Sequence, residues 1–122
     1  MKKCFAMMMA LILMMTMLLT GSALADGKKL SVVTTIYPIY DWVREIVGDN
    51  ANVEVTLLLD KGVDLHSFQP AADDIIKISR CDLFIYVGGE SDEWVEDALK
   101  EATNKDMVVI DLLDVLGDAV KE

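Results

Sequence analysis

Between Leu30 and Ile36 the chain places apolar and β-branched residues on consecutive positions, the pattern of a strand covered on both faces. Tyr37 and Pro38 interrupt it. Ile39, Trp42, Val43, Ile46 and Val47 then recur at helical spacing, which predicts a helix with one apolar face turned to the core. Gly48 stands where such a helix ends on a residue able to take positive φ. Val53 to Leu58 predicts a second strand. A loop from Leu59 to Gln69 leads to Pro70, which suits the first turn of a helix running to about Ser79, with Ala72, Ile75 and Ile76 inward. Leu83 to Val87 predicts a third strand, ended by Gly88 and Gly89. Trp94, Val95, Ala98, Leu99 and Ala102 form a second helical stripe, Met107 to Ile110 a fourth strand, and a helical segment begins at Leu112.

Strands separated by helices imply a parallel sheet with right-handed crossovers, because parallel neighbours need a long connection. The expected fold is therefore α/β: a four-stranded parallel sheet flanked by helices. No repeat, linker or low-complexity segment follows residue 26.

The first 25 residues read differently. Lys2 and Lys3 precede an apolar run from Phe5 to Leu19, and Ala23, Leu24 and Ala25 give a small-x-small cleavage site before Asp26. The run is about 15 residues, short of the roughly 20 that span a bilayer. Residues 1–25 are thus expected to be a secretory signal peptide, leaving 26–122 as one α/β domain outside the cytoplasm, periplasmic or at the cell surface. No cysteine stands directly after the cleavage site, so the usual lipoprotein anchor is not visible. Seven of the eight methionines belong to the leader and say nothing about soft-metal binding.

Charge narrows the function classes. All 21 acidic residues lie beyond Ala25, and the whole sequence already carries −10, which argues against nucleic acid and anionic membrane surfaces. Cys81 is the only cysteine after the leader, so an internal disulfide is impossible and a buried, inert thiol is expected. Gly88 and Gly89 lack the further glycines or the Lys-Ser/Thr pair of a nucleotide-binding loop. Glu90, Asp92 and Glu93 read as an ordinary helix start, where carboxylates favour the dipole.

In an open parallel sheet, sites gather outside the carboxyl ends of the strands. The only histidine, His66, falls in the second strand-to-helix loop, which is longer than the usual 2–6 residues. A neutral imidazole is a metal ligand, but a zinc site needs about four donors and one histidine cannot supply them. Asp64, two residues away, suits capping backbone amides or orienting the imidazole better than direct ligation. Tyr37 and Pro38 are placed to shape the floor of a cleft, and Trp42 and Trp94 are read as core.

Four segments in order, KGVDLHSFQP from Lys61 to Pro70, DDII from Asp73 to Ile76, CDLFIY from Cys81 to Tyr86, and GGESDEW from Gly88 to Trp94, closely resemble the zinc- or manganese-binding solute-binding proteins of bacterial ABC importers. The resemblance runs from Leu30 to Glu122. It implies a two-lobed protein joined by a rigid helix, with the metal held between the lobes, and a Gly-x-Asp-x-His-x-x-x-Pro loop giving the first metal-binding histidine, here His66. On that reading this chain is the first lobe, incomplete, with the second lobe absent and the other ligands beyond residue 122. Leu65 departs from the family, which often has proline or an acid there, so position 65 supplies no ligand. The implied cargo is zinc, with manganese as the alternative. The implied partner is an importer permease, and the protein would be no enzyme. A complete protein would be monomeric, whereas a lone lobe could self-associate.

Two alternatives remain open at this level. One is a truncated, inactive lobe. The other is a small secreted α/β hydrolase with His66 as base, for which Ser67 is too close in sequence and Ser91 lacks the Gly-x-Ser-x-Gly elbow.

Overall fold

Apolar residues on consecutive positions place β1 (Leu30–Thr34) in the interior of the sheet, where both of its faces are covered. The computed structural model describes residues 27–60 and 62–119. The signal peptide expected at 1–25 lies outside the described residues. After β1 come α1 (Tyr37–Val47), β2 (Val53–Leu57), α2 (Ala72–Arg80), β3 (Leu83–Tyr86), α3 (Trp94–Lys100), β4 (Val108–Asp111) and α4 (Leu112–Leu116). The strand order is β2-β1-β3-β4 and every pairing is parallel. The register sets Val32 opposite Val55 on one side and Leu83 on the other, with Leu83 opposite Val108. The α/β expectation holds.

Alternate residues of each strand point to opposite faces, so one strand serves two cores. Val33 and Phe84 pack with Phe68, Ile78, Val95 and Ala98 beneath α2 and α3. Val32 and Ile85 pack with Ile39 beneath α1. Cys81 is fully buried, its Sγ 3.2 Å from the Ile78 carbonyl, and burial pushes its thiol up to about 11 with Asp82 adding to the effect. It is an inert core residue, as expected.

The ends of the elements differ from the sequence reading by one or two residues. Ile36, Leu58 and Val87 fall outside the strands, although the ladder continues past β2 through Leu58 N to Thr34 O at 2.9 Å and Leu59 N to Thr35 O at 3.0 Å. Tyr37 and Pro38 open α1 rather than preceding it, and Gly48 closes it at φ 58°. Pro70 lies before α2; Ala71 is the residue that enters it, its N–H donating to Asp74 Oδ2 at 3.0 Å.

Two helical faces were misread. In α1 only Ile39 is fully buried, while Trp42 is 59% and Ile46 85% exposed. Successive residues turn by about 100°, so Ile39, Val43 and Val47 line one edge of the stripe and Trp42 and Ile46 the other. The sheet reaches only the first edge. In α2 the buried residues are Ile78 and Ser79, with Ile75 half-buried, whereas Ala72 and Ile76 are exposed. Trp94, by contrast, is half-buried against the core as expected.

Among the described residues, no helix is long and apolar enough to cross a membrane.

Candidate metal centre

From β1 the chain crosses to β2 on one side, and β3 pairs on β1's other side, so the strand order reverses between β1 and β3. A crevice outside the carboxyl ends of those two strands is where an open α/β sheet offers a site. The β2 loop begins at the sheet edge, yet its histidine reaches the loop that follows β3. Two strand spacings separate β2 from β3, roughly 10 Å. That reach accounts for the unusual length of the loop.

Three features hold the loop there. Leu65–Ser67 forms a single 3-10 turn, and Asp64 Oδ1 accepts the His66 N–H at 3.3 Å, the capping role expected of Asp64. Phe68, just past the turn, is buried in the core and meets Trp94 edge-on, ring centroids 5.4 Å apart. Between them, His66 itself is exposed, and its Nδ1 lies 2.7 Å from Ser91 Oγ. Among the described residues nothing hydrogen-bonds Nε2, so that nitrogen is open to a ligand.

The β3 loop is the fixed partner. Gly88 has φ 94°, and a Cβ there would sit 2.2 Å from an Asp111 carboxylate oxygen, so only glycine fits. Asp92 is 3% exposed and its Oδ2 accepts the Gly88 N–H at 2.9 Å. Sequence reasoning took Asp92 for an ordinary helix-start charge; it is a buried brace that folds the loop back on itself. Burial holds its carboxyl above the usual range, the Gly88 amide opposing this and the Asp111 charge adding to it. Tyr86, beside Asp111, is pushed up to about 12, first by burial and then by that carboxylate. Neighbouring Glu90 and Glu93 are exposed, and among the described residues their side chains make no hydrogen bond.

Tyr37 stands at the carboxyl end of β1 as expected, but it is exposed, with its ring 6.1 Å from that of Tyr40. Among the described residues it forms no hydrogen bond to the His66 loop. Nor do the described residues hold a group of three or more histidine, cysteine, aspartate or glutamate side chains able to bind a metal. One imidazole is what this part of the chain can offer.

The contact between Ser91 and His66 was not foreseen. A serine oxygen 2.7 Å from an imidazole nitrogen is also how a nucleophile meets its base. Here, among the described residues, no carboxylate hydrogen-bonds the ring from its other side, so the orienting acid of such a centre is missing. The cue available in the sequence was indirect: both residues lie in loops at the same edge of the sheet, one of them too long for its connection.

The family described as zinc-uptake complex component A, periplasmic (ZnuA), matches residues 32–122. The zinc-binding protein AdcA of Streptococcus pyogenes is 38% identical over 87 residues, covering 71% of this chain and 16% of that protein. The high-affinity zinc uptake system protein ZnuA of Bacillus subtilis is 41% identical over 80 residues, covering 66% and 24%. The Zn(II)-bound ZnuA-like domain of Streptococcus pneumoniae AdcA superposes with a TM-score of 0.61 at 32% identity, over 75% of this chain and 33% of that one. The chain thus spans between about a sixth and a quarter of the curated relatives it matches. These likenesses do not support the hydrolase alternative. With its sheet order, its Gly-x-Asp-x-His loop and this match over most of its length, the chain belongs to the ZnuA family of zinc-binding solute-binding proteins.

Proposed function

We propose that this chain is the first lobe of an extracytoplasmic protein that captures zinc and delivers it to an ABC-type importer, with His66 as its zinc ligand. Residues 1–25 would serve as the export signal and 26–122 as the lobe. The observation that carries the reading is His66 itself: an exposed imidazole on the functional edge of the sheet, its ring held through Nδ1 and its Nε2 open.

The mechanism is binding, not bond-making. Zinc accepts imidazole nitrogen readily, and three further donors are needed to close a tetrahedral site. In a longer protein those come from outside the described residues, with the permease as the receiving partner. The relatives' names point to zinc rather than manganese as cargo. A complete protein acts as a monomer. On its own the chain is expected to self-associate through the exposed Val108, Val109, Val115 and Leu116 around β4 and α4.

A zinc titration followed by calorimetry tests this. One imidazole without the further donors of a closed site should give a Kd weaker than about 1 μM, and His66→Ala should remove the saturable signal. Saturable binding that survives His66→Ala would sink the assignment.

A further inference from the structure

We propose that Ser91 is the positioning residue that selects which nitrogen of His66 meets the metal. This inference rests on His66 being the ligand and adds how it is aimed. A neutral imidazole carries one proton on one of two nitrogens, and only the other nitrogen can coordinate. Ser91 Oγ occupies Nδ1 at 2.7 Å, which leaves Nε2 for the metal. Once a metal takes the Nε2 lone pair, the proton must sit on Nδ1, and Nδ1–H donates to Ser91 Oγ as acceptor. A serine hydroxyl serves either way, so it holds the ring before metal arrives and fixes the coordinating tautomer afterwards.

The geometry is built rather than incidental. Ser91 sits in a 3-10 turn (Glu90–Asp92) that opens after Gly89 at φ 77° and is locked by the buried Asp92 on the Gly88 amide. The His66 turn is locked by Asp64 and anchored by Phe68 against Trp94, three residues beyond Ser91. The two loops therefore meet at two points, one apolar and buried, one polar and exposed. The ring cannot turn about its own axis without breaking the polar contact.

His66 is the only histidine, so its imidazole nitrogens can be followed by NMR in the whole chain labelled at histidine. Zinc sulfate is added to the wild type, Ser91→Ala and Ser91→Thr. The expected result is zinc on Nε2 with a protonated Nδ1 in the wild type. Ser91→Thr should keep that pattern. Ser91→Ala should change the metal-free tautomer ratio and weaken zinc binding by about 10-fold or more. Zinc on Nδ1, or a Ser91→Ala chain with unchanged tautomers and affinity, overturns the role of Ser91 while leaving His66 a ligand. A wild-type ring that does not respond to zinc overturns His66 as ligand, and the metal-free tautomers then report only whether Ser91 holds the ring.

Discussion

At the scale of single residues, the candidate centre depends on residues outside the contact between His66 and Ser91 itself. Asp92 and Gly88 set where Ser91 can be, and each has a distinct signature. Asp92→Ala should leave the buried Gly88 N–H unpaired and cost about 1–3 kcal/mol in a denaturant melt. Asp92→Asn keeps an acceptor oxygen and sheds a carboxylate that burial disfavours, so it should cost less. The raised carboxyl of Asp92 means its contribution to stability is present below the ordinary carboxylate pKa and lost as pH rises through the folded value. Asp92→Asn should therefore be relatively more stable than wild type above that range. Gly88→Ala forces a methyl onto the Asp111 carboxylate and should be the most damaging loop change, with proton shifts at His66 and Ser91 as the readout. The place of His66 at the carboxyl edge of the sheet was legible because it lies in a strand-to-helix loop of unusual length. Ser91 was not, because its partner lies 25 residues away and only the folded sheet brings their loops together.

At the scale of elements, periodicity gave type and order correctly but not which edge of a helical stripe is covered. That depends on where the sheet ends, and no local pattern encodes it. The difference can be measured. Ile46→Lys, on the uncovered edge of α1, should change stability by no more than about 0.5 kcal/mol. Ile78→Ala, fully buried in α2, should cost about 2–5 kcal/mol. Equal costs for the two would show that α1 covers more than the sheet order allows. The strands were legible to within one or two residues, since short apolar runs bounded by glycine, proline or polar residues mark them whether or not both faces are covered. The misplaced starts of α1 and α2 share a cause: proline marks a helix entrance without saying whether the first turn begins at it or after it.

At the scale of the whole molecule, the sheet has one end that carries the candidate centre and another braced by hydrogen bonds to the half-buried Asp82 carboxylate. At the amino ends of the strands Asp82 accepts from Lys28 Nζ at 2.7 Å, from the Ser31 N–H at 2.9 Å and from Asn104 at 3.2 Å. The hydrogen bond from Lys28, with that of the Ser31 amide, holds its carboxyl below the usual range. A lowered carboxyl stabilises the fold above its unfolded pKa, about 3.9, and that stability is lost as pH falls through the folded value. Acid unfolding should therefore begin earlier in Asp82→Asn than in wild type, while zinc binding at neutral pH should not change. Zinc loss without loss of stability would show the two ends to be coupled.

The sheet is also graded across its width. β1 and β3 are paired on both sides and their amides should exchange with solvent most slowly, whereas β4 is paired, among the described residues, only to β3 and exposes Val108 and Val109. Fraying should start at β4. Asp111 closes that strand and its carboxylate lies directly against Gly88, in the loop that carries Ser91. Each opening of the sheet's weakest strand therefore withdraws the wall behind Gly88, at the root of the loop that carries the serine. How long His66 keeps its orientation would then be set by the lifetime of β4 rather than by its own loop.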